Sequence, residues 1–317
     1  LMLSCADNSN NKSNNPNKQQ ISAKVFVPDF SSDSAYAFIE KQVSFGTREL
    51  GSPGSKNCGI YLENQLKKYT SFVVTQEAPV TTYDRKKHKL KNIIASFSPE
   101  KKNRILLMAH WDTRPIADYD TIRKGDPILG ANDGGSGVWV ILELARQFSI
   151  NQPKVGVDII LFDAEDYGQP ENSKYPFMEN SWCLGSQYWS KNMHTPNYYA
   201  KYGILLDMVG AKNATFTYEG VSRTFAPNVL KKVWRQAHKI GYGKYFLFQN
   251  TKEILDDHYY VNTIANIRTI DIIEYDPFTE TNFNKHWHTH QDDMNNIDKM
   301  TLLAVGQTLM HVIYKEM

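Results

Sequence analysis

Four short, almost unbroken apolar runs constrain this chain more than any other feature, because three of them end on groups that bind metals or move protons. Arg104 to Ala109 leads into His110-Trp111-Asp112, Val155 to Phe162 into Asp163-Ala164-Glu165-Asp166, and Gly203 to Leu206 into Asp207; Ile267 to Ile273 is the fourth. Runs this short and apolar throughout are the pattern of strands covered on both faces, as in parallel sheets. Helical patterns separate them: Val138 to Phe148 behind the glycine-rich Gly130 to Gly137, a short helix from His258 to Ile264, and a closing helix from Thr301 to Tyr314. The alternation predicts an α/β fold, a three-layer sandwich on a mixed, centrally parallel sheet. Sheets of this kind bind ligands beyond the carboxyl ends of their strands, where this chain places its acids.

The N-terminal third reads differently. Ala35, Phe38, Ile39 and Val43 mark a helix over Ser34 to Val43 that starts behind Ser31-Ser32-Asp33 and ends at Gly46. Gly51 to Gly54 is a turn, and Ile60, Leu62, Leu66 and Tyr69 form the apolar face of a second helix. Phe72 to Val80 and Asn92 to Ser98 are rich in β-formers and flank a basic run, Arg85 to Lys91, read as a solvated hairpin tip. Together they predict the antiparallel edge of the sheet. No repeat or linker interrupts the rest, so residues 26–317 form one catalytic domain behind a polar segment, 1–25, with the character of a disordered tether.

With 36 basic and 34 acidic residues, the net charge of +2 argues against a nucleic-acid or strongly anionic partner, and a monomer is expected. The 3 cysteines make neither a disulfide framework nor a zinc knuckle. Cys58 and Cys183 could pair only if the fold brings them together, and packed thiols are expected. Cys5 follows Met2-Leu3-Ser4 and precedes a run of Asn, Ser and Lys, the pattern of a bacterial lipoprotein signal and its tether. The expectation is a lipid-anchored protein of the bacterial cell envelope, periplasmic, touching the membrane only through lipid at Cys5, since no run reaches the ~20 apolar residues that span a bilayer.

A hydrolytic or transferring zinc site takes about three protein ligands and keeps a position open. Asp133, Asp166 and His288 supply such a set from separate elements, and Glu165, beside Asp166, is placed to be a general acid or base rather than a ligand. Alone, Glu165-Asp166 would read as a solvated loop pair; beside the other strand-end groups it reads as part of a site. His110-Trp111-Asp112 has a metal-ligand spacing, yet His110 could equally be a supporting group bonded to Asp112. Asp207 shares that ambiguity. If both bind metal, the site holds two ions bridged by Asp133; if neither does, it holds one. Trp287 and the pair Asp256-Asp257 add an aromatic face and further acids, although packing and helix capping would also explain them.

Taken together, Ala109-His110-Trp111-Asp112, Gly130-Ala131-Asn132-Asp133, Phe162 to Asp166, Leu205 to Gly210, Asp256-Asp257-His258 and Trp287-His288-Thr289 resemble the zinc-dependent glutaminyl cyclases (glutaminyl-peptide cyclotransferases). The likeness is to their animal-type fold as found in bacteria, which is related to the zinc aminopeptidases, and it covers about Phe26 to Met317. It implies one zinc per chain on Asp133, Asp166 and His288, Glu165 as proton shuttle, and Asp256 and Asp207 in an acidic network beside it. It also implies that Trp287 steadies the substrate amide, that His110 and Asp112 persist without binding metal, and that the substrates are peptides or proteins with N-terminal glutamine. Two features depart from the animal pattern. Asp166 stands where those members carry Glu, and an insertion, Gln169 to Ser181, forms a pocket-side loop before Trp182, a candidate wall residue. The rival is a two-zinc metalloaminopeptidase on the same fold; a further alternative is a peptide-capturing module with a vestigial site.

Overall fold

Residues 25–317 are described by a computed structural model; the expected tether lies outside the described residues, apart from Val25. Helix α1 (Ser32–Val43) is capped by the Ser31 side chain, and α2 (Pro53–Tyr69) by Ser52 with proline in its first turn. α2 turns Cys58, Leu62 and Leu66 inward, whereas Ile60 faces solvent rather than the core. Strands β1 (Phe72–Thr81) and β2 (Lys87–Phe97) form an antiparallel hairpin. This corrects the reading of Arg85 to Lys91 as a hairpin tip. From Lys87 onward the run is strand, with Leu90 buried between outward lysines, and only Thr82 to Lys86 turn.

Strands β3 (Arg104–His110), β4 (Gly156–Phe162), β5 (Tyr202–Asp207) and β8 (Thr269–Ile273) are the four apolar runs, buried at every residue. The sheet order is β1-β2-β4-β3-β5-β8: β2 meets β4 antiparallel, and β4, β3, β5 and β8 run parallel. One face carries α1, α2, α3 (Gly137–Ile150), α6 (Pro227–Lys239) and α8 (Lys299–Tyr314), packed on Ile105, Leu107, Ile159, Ile204 and Ile270. The other face packs α4 (Leu184–Lys191) and α7 (Asp257–Thr263) through Trp189 and Val261 onto Leu106, Met108, Ile160 and Leu205. The result is the expected three-layer sandwich. A small parallel pair, β6 (Phe216–Tyr218) with β7 (Phe246–Asn250), and the short α5 (Gly220–Phe225) complete it. Cys58 and Cys183 are both free and buried.

Two buried charges organise the loops around the sheet. Arg104 bridges β3 to β4 through Asp158, at 2.7 and 2.5 Å. Arg48 donates to the carbonyls of Trp111, Leu129 and Gly130, so the ends of the long loop after β3 close on one guanidinium.

Candidate active site and metal centre

Because β4, β3, β5 and β8 run parallel, their carboxyl ends share one edge, and that edge gathers His110, Glu165, Asp166 and Asp207. Asp133 comes from the wide turn of Asn132–Ser136 that opens α3. Gly134 makes this turn possible: its φ is +81°, and a Cβ there would lie 2.1 Å from the Asp112 carbonyl oxygen. Asp292 holds the turn from the other side by accepting the N–H groups of Asn132 and Asp133 at 2.8 and 3.0 Å.

After β4 the backbone kinks at Ala164, a non-glycine residue with φ of 58°, and turns the next two side chains apart. The carboxylate of Asp112 fastens that kink, accepting the N–H of Glu165 on one oxygen and of Asp166 on the other, both at 3.1 Å. Both Asp112 oxygens are therefore engaged by backbone N–H groups. His110 Nε2 lies 3.1 Å from both Asp133 Oδ1 and Asp207 Oδ1.

Asp133, Asp166 and His288 converge. His288 Nε2 is 3.1 Å from Asp166 Oδ1 and 3.6 Å from Asp133 Oδ2, and the donor atoms of the three lie within 4.8 Å of one another. Both oxygens of the buried Asp166 lack any hydrogen-bond donor. A buried carboxylate without donors beside a second buried carboxylate calls for a cation, and a nitrogen with two oxygens is a donor set zinc accepts. The electrostatics agree. Burial and the neighbouring Asp133 push Asp166 up to about 6. Burial opposes ionisation of Asp133, but His110 and His288 hold it below the usual carboxylate range. Burial also works against a charged His288, yet Asp166 and Asp118 lift it to about 9. A second set, His110, Asp133 and Asp207, has its donor atoms equally close, sharing Asp133.

Glu165 lies beside the first set, and its proton affinity is raised well above the usual range, mainly by burial, with Asp256 and Asp166 adding. Asp256 caps α7 and also lines the cavity. The cavity, of about 370 Å³, is bounded by Asp133, Glu165, Asp166, Asp207, Asp256 and His288, with Trp182 and Trp287 as walls. Trp287 stacks on His288 at 3.7 Å, and Trp182 lies against Gly168 and under the Arg114 guanidinium, 4.4 Å from its centre. Of the insertion Gln169 to Ser181, no residue reaches the cavity wall; Trp182, just after it, does.

The sequence assigns no role to Asp118, Arg114 or Asp292, and marks Cys183 only as a packed thiol. Asp118 Oδ1 is 3.1 Å from His288 Nδ1 and is gripped by Arg114, which also donates to the carbonyls of Asp166 and Gly168. Arg114 and Asp118 lie in a loop, where i,i+4 spacing does not bring side chains together as it does on a helix, so the sequence carried no signal for them.

This fold and this site define a zinc exopeptidase-like α/β enzyme. The pattern of Peptidase family M28 matches residues 92–313, and the chain belongs to that family. A Zn-dependent exopeptidase from Parabacteroides distasonis is 51% identical, covering 92% of this chain and 100% of that one, with a TM-score of 0.90. The glutaminyl cyclase of Bacteroides thetaiotaomicron, solved with N-acetylhistamine, is 50% identical with the same coverage and a TM-score of 0.89. The glutaminyl-peptide cyclotransferase of Bos taurus is 22% identical over 296 residues, 83% of this chain and 76% of that protein. The expected family resemblance and the zinc dependence of the fold both stand.

Proposed function

We infer that the chain is a zinc-dependent glutaminyl-peptide cyclotransferase, closing the N-terminal glutamine of peptides and proteins to pyroglutamate with release of ammonia. The observation that carries this is half-identity to a glutaminyl cyclase over 92% of the chain, with all of that enzyme's length matched. The geometry supports it, since Glu165 faces the cavity beside the donor set without belonging to it.

One zinc per chain fits on Asp133, Asp166 and His288, where it would supply Lewis-acid polarisation of the glutamine γ-carbonyl. Glu165 accepts a proton from the α-amine as its nitrogen bonds to the side-chain carbonyl carbon (Cδ), and returns a proton to the amide nitrogen as the Cδ–N bond breaks. Asp256, close to Glu165, keeps the carboxylate basic enough to hold the proton between the two steps. Trp287 and Trp182 narrow the cavity around the glutamine side chain, Trp287 steadying its amide and Asp207 closing the acidic floor. Holding the flexible side chain curled is a proximity effect worth up to about 7–11 kcal/mol in favourable cases. No attacking water is needed.

The set His110, Asp133 and Asp207 favours one competing reading, a two-zinc aminopeptidase. Ammonia release from a Gln-initiated dipeptide, run beside a zinc count, separates them. Cyclisation with one zinc supports the cyclase; two tightly held zincs with leucine-anilide hydrolysis supports the peptidase.

The Cys5 context further supports a periplasmic lipoprotein, and among the described residues no helix is long and apolar enough to cross a membrane. Loss of radiolabelled palmitate incorporation on Cys5→Ala tests the anchor, and light scattering tests the monomer.

A further inference from the structure

We propose that Cys183 is a positioning residue for the proton-transferring carboxylate, a role that rests on the one given to Glu165 above. Its Sγ lies 3.2 Å from Glu165 Oε1 and donates to it. The thiol is fully buried, and burial together with Glu165 pushes its pKa well above the ordinary value, so it remains a donor. The backbones are joined as well: Cys183 N–H donates to the Glu165 carbonyl and Leu184 N–H to that of Ala164, each at 2.9 Å. Both kinks are left-handed at non-glycine residues, Ala164 at φ 58° and Cys183 at φ 57°, a conformation that persists only where the surroundings hold it. The start of α4 thus clamps the Glu165 loop twice through backbone and once through sulfur. With Oε1 tethered, Oε2 is the oxygen left to take the substrate proton. A thiol is a weak donor, so it fixes the carboxylate without stripping its basicity.

The test compares Cys183→Ala and Cys183→Ser in zinc-loaded full-length enzyme. Alanine should lower kcat by about tenfold or more with little change in KM and unaltered zinc content, and serine should restore most of the loss. Wild-type kcat in the alanine variant overturns the proposal while leaving Glu165 untouched; turnover in Glu165→Gln would instead remove Glu165 itself. If the alanine variant fails to fold, infrared spectroscopy decides. One S–H stretching band should shift between wild type and Glu165→Gln, and an unchanged band overturns the contact.

The opposite pole of the sheet carries an independent observation. Lys154, Lys201 and Arg268, all exposed, precede β4, β5 and β8 at their N-terminal ends. Next to them Lys232, Arg235 and Lys239 form one stripe of α6 along a groove of about 420 Å³, whose acid, Glu316, is already engaged by Lys201 and Lys232. The acids of the active site lie at the other ends of the same strands, so the near-neutral chain is polarised. Val25 and Phe26 share a cleft with Lys154 and Tyr314, so the segment leading from Cys5 joins the fold at the basic pole. We infer that this pole rests on an anionic phospholipid surface, leaving the active site turned toward solvent. Unlipidated full-length protein should cosediment with phosphatidylglycerol-containing vesicles but not with pure phosphatidylcholine. Raised salt, or the triple variant Lys154→Glu, Arg235→Glu and Lys239→Glu, should abolish binding without changing kcat. Equal binding to both vesicles, binding unaffected by the triple variant, or retention on a sulfated polysaccharide without vesicle binding each overturns it.

Discussion

Asp118 faces His288 across 3.1 Å, from carboxylate Oδ1 to ring Nδ1, and is itself held by Arg114 at 2.8 Å. The ring is thereby oriented with Nε2 toward Asp166 and Asp133, the arrangement by which a carboxylate sets the tautomer of a zinc-binding histidine. Asp118→Asn should weaken zinc binding by about 10–100-fold, read by competition with a chromogenic chelator. An unchanged affinity would mean that stacking on Trp287 alone holds the ring.

Glu165 touches the cavity and not the donor set, so its charge can be removed without removing a ligand. Glu165→Gln should keep one zinc per chain and lower ammonia release by about 10²–10⁴-fold, the span of general acid–base catalysis. Retained turnover takes Glu165 out of the mechanism.

His110 sits between Asp133 and Asp207, 3.1 Å from each, where either a second ion or the imidazole itself can separate the two acids. Under the single-zinc reading His110→Ala keeps its zinc and most of its cyclisation. Elemental analysis checks this, and loss of a bound ion together with all turnover would favour the two-zinc peptidase.

The strand-end groups were legible because β3, β4 and β5 are buried on both faces, so continuous apolar runs mark where each strand stops and its functional residue begins. Groups that act through tertiary contact left no such trace. Cys183 meets Glu165 only because two left-handed kinks face each other, and Asp118 lies in a loop whose residues carry no periodicity. The misread basic run had a usable signal. Lys87, Lys89 and Lys91 alternate with His88 and Leu90, a period of two that marks a strand with a solvated face. Val229, Leu230, Val233, Trp234 and Ala237, the buried side of α6, recur at helical spacing and were equally readable.

Gly134 combines a φ of +81° with a site where a Cβ would lie 2.1 Å from the Asp112 carbonyl oxygen. The obstacle is backbone and cannot rotate away, and Asp112 also supports Glu165 and Asp166. Gly134→Ala should therefore shift Asp133 and destabilise the fold by more than the roughly 1 kcal/mol of an ordinary left-handed alanine. Thermal melting of the zinc-free protein reads the destabilisation, and an unchanged Tm would show that the turn can relax.

Glu219 is a buried acid away from the metal ligands whose ionisation should be visible in stability. Burial opposes its charge, but the hydrogen bond with His258 at 3.0 Å and the N–H groups of Val221 and Ser222 outweigh it and draw its pKa down to about 2. A depressed folded-state pKa favours the native state wherever the carboxylate is ionised. The contribution is thus complete above the unfolded value near 4.5 and disappears as pH falls toward 2. Its size is roughly 3 kcal/mol at neutral pH. Urea unfolding of wild type and Glu219→Gln should show the variant less stable at pH 7, with the gap narrowing steadily below pH 4.5; a gap constant with pH would mean that the charge of Glu219 contributes nothing.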